Sequence, residues 1–305
     1  MAYGIDKPIV VAVAAGVAVA IAKFVAAGVS GSASMLAEGV HSLMDAANDS
    51  LLLVGRWRSR RPPDARHPFG YGKELYFWTT VVALAIFGAG GGVTIVEGVQ
   101  RLLAPRPVQD PTWNYVVLGV AAVLEGYSCF ISYRKFRQGQ LGRGFWRTFR
   151  ESKDPTIATV VFEDGAALAG LAIAVLGLAS GQALGSPYPD AVASVLIGLV
   201  LAVVALFLLR ESKELLVGEP ADPTLVKQIR ELVEADAAVE LAAAPLTMHL
   251  GPDHVLLNLD IQFQETLSVV ELESSIDRIE SSIRAKHPEV KQIFLEIESL
   301  AARRK

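Results

Sequence analysis

The sequence predicts an α-helical membrane protein with six transmembrane helices, followed by a small cytoplasmic α/β domain at the C-terminus. Apolar residues make up 52% of the 305 residues, and the mean hydropathy is +0.39. Apolar runs of roughly 20 residues, the length of a membrane-spanning helix, recur until about residue 210. Charged and apolar residues then mix as in a soluble domain. We therefore expect a membrane domain at 1–212 and a separate domain at 213–305.

The apolar runs define six predicted spans, and the basic residues define their orientation. The spans cover residues 8–29, 33–55, 75–101, 113–133, 156–180 and 189–210. Lysine and arginine cluster after the second and fourth spans, at 56–73 and 134–153, whereas the opposite loops hold few of them. Since basic loops stay in the cytoplasm, both termini are predicted to be cytoplasmic. The first run lacks a clear cleavage signature and is interpreted as a span.

Several classes of function are disfavoured by composition and motifs. The formal net charge is −4, the sum of a membrane part with basic flanks and an acidic tail. Because this total is not basic, we expect no nucleic-acid partner. The single Cys129 allows neither an intrachain disulfide nor a multi-cysteine zinc site. The sequence has no His-Glu-x-x-His motif, phosphate-binding loop or nucleophile with a recognisable partner. We expect a protein that is not an enzyme.

The second span carries ionisable residues at helical spacing. Glu38, His41 and Asp45, followed by Asn48 or Asp49, fall on one face of a helix. Ionisable side chains at bilayer depth cost roughly 2.5–3.5 kcal/mol each on insertion scales, so they usually face a protein interior, an ion path or a partner. A divalent metal would fit this stripe of oxygen and nitrogen donors.

The fifth span carries a second acidic pair, Glu163 and Asp164, without a charged neighbour on the same helix. Buried acids of this kind need a metal, a proton or a cation from another span. With His41 and Asp45 they form a mixed nitrogen and oxygen set. Such a set suits Zn²⁺, tolerates Mn²⁺, Fe²⁺, Co²⁺ or Cd²⁺, and is less suited to Mg²⁺ or Ca²⁺.

These motifs resemble those of the cation diffusion facilitators, proton-coupled exporters of zinc and related divalent metals. The resemblance covers nearly the whole chain. It is carried by Ala37-Glu38-x-x-His41-Ser42-x-x-Asp45, Asp64-x-x-His67-Pro68-Phe69-Gly70-Tyr71-Gly72-Lys73, Glu163-Asp164, Asp190-Ala191 and the short α/β tail. The acidic pair and the loop look most like the branch that contains the mitochondrial ninth human zinc transporter and its bacterial relatives.

The resemblance implies alternating access, with metal loaded from the cytoplasm and displaced by protons on the other side. Zn²⁺ is the favoured cargo, and a bacterial inner membrane is the expected location. The family's site takes two ligands one turn apart on each of two spans, so His41, Asp45 and Asp164 match three of them. Val160 stands at the fourth position. Glu163, Asn48, Glu38, Asp49 or water remain alternatives for it.

The loop after the second span gives a weaker indication of metal binding. Some relatives bind a second zinc there with an aspartate and two histidines, but Tyr71 replaces the third ligand beside Asp64 and His67. We interpret the loop chiefly as a turn. Lys73 is expected either to pair with an acid such as Glu219 or to lie on the surface.

The tail is predicted to contain helices at 223–234 and 267–287 and strands at 245–250, 254–263 and 290–298. The resemblance implies a ferredoxin-like domain that pairs two protomers into a homodimer. Only His249 clearly matches the zinc cluster that relatives carry there. Apolar dimerisation is therefore favoured over metal regulation.

Two other functions remain open. One is a membrane-anchored metal sensor or scaffold, and the other is a proton antiporter of another small cation, in which Glu163 and Asp164 carry protons. Glu125 is expected either to form an interhelical hydrogen bond or to relay protons. Asp190 is expected near the outer end of its span, reached by water or capping its own helix.

Overall fold

The computed structural model describes the backbone at residues 7–138 and 155–297, and the side chains at 13–134 and 160–297. Most of the basic 134–153 segment lies outside the described residues. The chain divides into two compact units. One comprises Met1–Trp57 and Tyr76–Lys213, and the other comprises Arg58–Leu75 and Glu214–Lys305.

The first unit is built from long helical segments, one at each predicted span. In chain order they are α1 (Lys7–Ser30), α2 (Ala33–Ser59), α3 (Glu74–Ala85) continued through a π-helical segment (Ile86–Gly92) into α4 (Val93–Leu103), α5 (Thr112–Gln138), α6 (Pro155–Leu184) and α7 (Tyr188–Val217). Among the described residues, five stretches are long and apolar enough to cross a membrane. The remaining long segment is α2, which carries the polar stripe. The helical membrane fold class is confirmed.

Small residues bring α4 and α7 close together. A Cβ atom built on Gly98 of α4 would lie 2.7 Å from Cγ2 of Val195, and one built on Gly198 of α7 would lie 2.7 Å from Cγ1 of Ile95. Both distances are too short for a real side chain, so glycine is what permits this backbone approach. The adjoining π-helical segment is glycine-rich, and its Gly90 faces Met44 of α2. The segment therefore packs next to the polar stripe.

The tail forms a small α/β domain. Helix α8 (Pro223–Glu234) precedes β1 (Val239–Ala242), β2 (Leu246–Gly251) and β3 (His254–Phe263), and α9 (Val269–Lys286) precedes β4 (Val290–Ile297). The central strand β3 pairs antiparallel with β1 and β2 and parallel with β4. Its alternate residues are buried against the helices, as the sequence pattern predicts. The short strand β1 was not predicted from the sequence.

The loop between α2 and α3 belongs to the same unit as the tail, although the sequence-based boundaries assign it to the membrane domain. Phe69 makes an edge-to-face contact with Phe294, with ring centroids 6.2 Å apart. Gly72 lies so close to the carbonyl oxygen of Leu250 that a Cβ atom has no room. Lys73 Nζ lies 3.4 Å from the carbonyl oxygen of Leu216 and contacts the sulfur of Met248. Both contacts join Lys73 to residues of its own unit.

Candidate metal centre

The first half of the candidate site lies on α2, where four-residue spacing places His41 and Asp45 one turn apart. His41 is buried, and its Nδ1 atom lies 3.6 Å from Oδ1 of Asp45. The other ring nitrogen, Nε2, is buried without a hydrogen-bond partner among the described residues. An imidazole nitrogen left in this state has a lone pair available to a metal ion, provided the ring proton lies on Nδ1.

The second half of the site joins α2 to α6 through Asn48 and Glu163. Nδ2 of Asn48 donates a hydrogen bond to Oε1 of Glu163 over 3.1 Å, and both side chains are buried. Oδ1 of Asn48 has no partner within the described segments. The Glu163 carboxyl group is also close enough to Asp45 for their charges to interact. Glu163 is thus directed towards the polar face of α2.

Asp164 points to a different helix. Ser128 Oγ on α5 donates to both of its carboxylate oxygens at 3.3 Å. Successive residues of a helix are about 100° apart around its axis, so Glu163 and Asp164 face different neighbours. In the part of the chain that the structure describes, no three His, Cys, Asp or Glu side chains are grouped closely enough to hold a metal. The predicted ligands are therefore in neighbouring positions without forming a complete coordination shell.

A buried lysine, which the sequence analysis did not identify, lies beside these residues. Lys23 of α1 is fully buried, and its ammonium group donates to Glu38 Oε2 at 2.9 Å, Ser42 Oγ at 2.8 Å and Glu125 Oε1 at 2.9 Å. Its charge also acts on His41. The signal was present in the sequence, because Lys23 is a lone cation within an otherwise apolar span.

Asp190 fixes the N-terminal end of α2 instead of capping its own helix. The residue is buried, and its carboxylate accepts hydrogen bonds from Ser32 Oγ at 2.7 Å, from the Ala33 amide at 2.6 Å and from the Ser34 hydroxyl. The expectation of a water-exposed carboxylate was wrong. These bonds satisfy amides at the start of α2 and hold the ligand-bearing helix against α7.

The loop of the second unit uses its aspartate to close a turn. Asp64 accepts hydrogen bonds from the amides of Arg66 and His67, at 2.9 and 2.8 Å, and from the Tyr71 hydroxyl at 2.6 Å. These donors, with Tyr71 the strongest, lower the pKa of Asp64 below its ordinary value. Since both carboxylate oxygens are already engaged, the geometry favours the turn interpretation.

The membrane-spanning helices bury an imidazole and several carboxylates, an arrangement that is typical of membrane cation transporters. The family model of the cation efflux transmembrane domain matches residues 9–217. The chain belongs to the cation diffusion facilitator family, which confirms the resemblance read from the motifs. The family and its relatives are transporters rather than enzymes.

Similar proteins include Metal tolerance protein C4 of Arabidopsis thaliana, with 35% identity over 79% of this chain and 53% of the relative. The human protein named Proton-coupled zinc antiporter SLC30A9, mitochondrial, is 29% identical over 90% of this chain and 55% of its own length. Cation-efflux pump FieF of Escherichia fergusonii is 27% identical over 85% of this chain and 81% of its own length. The chain spans about half the length of the first two relatives.

Proposed function

We propose that the chain exports divalent transition-metal cations from the cytoplasm in exchange for protons, with Zn²⁺ as the favoured cargo. The observation that carries this proposal is the bond from Asn48 to Glu163. It directs a carboxylate of α6 towards His41 and Asp45, and so offers a substitute for the ligand that Val160 does not supply. The human relative is named a proton-coupled zinc antiporter, which supports the same cargo and counter-ion.

The donor types support zinc over hard cations. One imidazole nitrogen and the carboxylates of Asp45, Glu163 and Asp164 form a mixed set that zinc accepts in four-coordinate geometry. Manganese, iron, cobalt and cadmium are secondary candidates, because geometry decides among these ions as much as donor type does. A relative from Bacillus subtilis, 22% identical, is named a manganese efflux system protein.

Alternating access requires the ligand set to be complete in one state and incomplete in another. Glu163 and Asp164 face different helices in the described conformation, so a rotation of α6 relative to α2 would change which carboxylate joins His41 and Asp45. Protons complete the cycle, since each ligand must lose its proton to bind metal and regains one when metal leaves. The inward proton gradient thereby drives the export of metal.

The proposed setting is a bacterial inner membrane, with both termini in the cytoplasm and two copies of the chain paired through the tail. The basic residues at 56–73 support the orientation. The tail supports pairing through its exposed apolar side chains, which include Leu246, Phe294 and Ile297.

Metal uptake into proteoliposomes with an imposed pH gradient tests the proposal. Zn²⁺, Cd²⁺, Co²⁺, Fe²⁺ and Mn²⁺ are offered separately to the wild-type chain, to Asp45→Ala and to Ser50→Ala. Ser50 is a matched control, because it lies on α2 and, among the described residues, its hydroxyl bonds the Ala46 carbonyl of its own helix. We expect gradient-dependent uptake, strongest for Zn²⁺, to persist in Ser50→Ala and to disappear in Asp45→Ala. A wild-type chain that binds zinc without moving it would favour the sensor alternative.

A further inference from the structure

Lys23 brings two carboxylates from different helices onto one buried ammonium group. All three of its N–H donors are used, by Glu38 and Ser42 of α2 and by Glu125 of α5. Lys23 and Glu38 have no exposed side-chain surface, and Glu125 has 17%. We call Lys23, Glu38 and Glu125 the lysine triad.

The triad carries one positive and two negative groups when all three are ionised, which leaves one negative charge uncompensated. A buried charge without a partner is strongly unfavourable, and a proton is the simplest way to remove it. The second oxygens, Oε1 of Glu38 and Oε2 of Glu125, are buried and have no hydrogen-bond partner in the described structure. Each of them offers a position for that proton.

Lys23 engages Oε2 of Glu38, and Gly170 of α6 lies against Oε1, which removes Glu38 from the alternatives for the fourth metal ligand. We propose that the lysine triad is a proton-binding site, distinct from the proposed ligands His41, Asp45, Glu163 and Asp164, which holds one proton shared between Glu38 and Glu125. Glu125 is the entrance for this proton, because it alone of the three retains exposed surface. On its other side Glu38 packs against α6. A Cβ atom built on Gly170 of that helix would overlap Oε1 of Glu38.

The triad is placed to respond to metal. The titratable groups whose charges reach it are His41 and Asp45 on α2 and Asp164 on α6. A divalent cation bound among these side chains adds positive charge near Lys23 and thereby disfavours a proton on either glutamate. Metal binding then expels the triad's proton in addition to those displaced from the ligands. In the reverse step the proton returns to one carboxylate oxygen as the metal leaves.

This inference rests on the proposed function, because it deepens how protons are coupled to metal. Its test counts the protons released when Zn²⁺ is added to the purified full chain in weakly buffered detergent solution containing a pH dye. Bound zinc is measured in the same samples. The variants are Glu125→Gln, Glu38→Gln, the double variant, and Glu97→Gln as control. Glu97 is a span-end carboxylate that pairs with Arg101 at 2.9 Å and lies outside the triad.

We expect each single variant to release about one proton fewer per bound zinc than the wild type, with zinc still bound. The double variant should lose no more than either single variant, since the two carboxylates share one proton, and Glu97→Gln should match the wild type. Equal release from wild type, Glu125→Gln and Glu38→Gln at equal zinc occupancy would overturn the inference.

Infrared spectroscopy of the metal-free chain provides a second measurement that needs no metal binding. A protonated carboxylic acid has a C=O stretching band at higher frequency than a carboxylate. We expect a component of this band at neutral pH in the wild type that both single variants lack and Glu97→Gln retains. Its absence from the wild type would refute the triad's proton. Failure of the wild-type chain to bind zinc would instead contradict the proposed function. The infrared band of the metal-free chain would then be the measurement that tests the inference.

Discussion

Asn48 Nδ2 lies 3.1 Å from Oε1 of Glu163, and this hydrogen bond links the polar face of α2 to α6. Asn48 is seven residues after His41, two helical turns along the same face. A carboxylate oxygen engaged by an amide is held in place but is not blocked, because it keeps further lone pairs. Metal binding and the Asn48 bond can therefore use the same carboxylate.

The first prediction concerns Glu163 as the substitute ligand. Glu163→Gln should weaken zinc binding by about tenfold or more, because an amide replaces a charged oxygen donor, and calorimetric titration measures the loss. Adding Val160→His to this variant should restore affinity, since a histidine four residues before Asp164 supplies a donor one turn away. Wild-type affinity in Glu163→Gln would show that Asn48 or water fills the fourth position.

The second prediction concerns the close approach of α6 to Glu38. Gly170→Ala should destabilise the chain by about 1–3 kcal/mol, because its Cβ atom would collide with the Glu38 carboxylate. Gly165→Ala on the same helix is the control, since its Cβ atom would meet nothing within 4 Å. Thermal unfolding in detergent compares the two variants. Equal thermal midpoints of the two variants would show that Glu38 moves aside without loss of stability.

Periodicity and hydropathy were sufficient to predict the helices, because five spans are apolar runs of roughly 20 residues or more and α2 places its polar residues at helical spacing. The same reasoning predicted β3 residue for residue, since Val255, Leu257, Leu259 and Ile261 alternate with less buried neighbours. Strand β1 has four residues in an alanine-rich stretch, and its pairing with β3 is what makes it a strand. No local signal distinguishes it from a loop.

The candidate site was predictable only as a set of residue types. Spacing along α2 placed His41 and Asp45 on one face, but spacing within α6 does not reveal which helix Glu163 or Asp164 faces. That depends on the rotation of α6, which the packing of several helices determines. Lys23 bonds Glu38, which is 15 residues away along the chain, and Glu125, which is 102 residues away. No periodic pattern in the sequence connects these positions.

The third prediction concerns Asp190 as the cap of α2. Asp190→Asn keeps the side-chain size but replaces one acceptor oxygen with a donor, so the bonds from Ser32, Ala33 and Ser34 cannot all form. We expect a loss of about 2 kcal/mol, seen as a lower thermal midpoint. Asp110→Asn, at an exposed turn before α5, should change the midpoint little. Equal effects of the two substitutions would contradict the capping role.

The fourth prediction concerns the tail as a pairing domain. Its core contains buried side chains from both helices and from β1, β3 and β4, so residues 214–305 should fold when expressed alone. The fragment should be dimeric in the presence of a chelator, as measured by analytical ultracentrifugation. A monomer that dimerises only after zinc is added would contradict apolar pairing and make His249, His254 and His287 candidate zinc ligands.

The fifth prediction concerns the pH dependence of the tail's stability. Arg278 donates two hydrogen bonds to Asp236, at 2.6 and 2.8 Å, and holds the pKa of that carboxyl group below its ordinary value. A lowered folded-state pKa means stabilisation that is present above the unfolded value of about 4 and is lost as pH falls through the folded value. Arg278 is 52% exposed, so solvent screening limits the contribution to about 1 kcal/mol or less.

Asp236→Asn should therefore lower the thermal midpoint of the 214–305 fragment at neutral pH, and the difference from the wild type should shrink as the solution is acidified below about pH 4. Glu231→Gln is the control, because Glu231 forms a looser and more exposed pair with Lys227 at 3.6 Å. Circular dichroism melts at a series of pH values measure both variants. A difference between Asp236→Asn and the wild type that stays constant down to strongly acidic pH would show that Asp236 stabilises the fold through its uncharged contacts, such as the bond it accepts from the Ala238 amide.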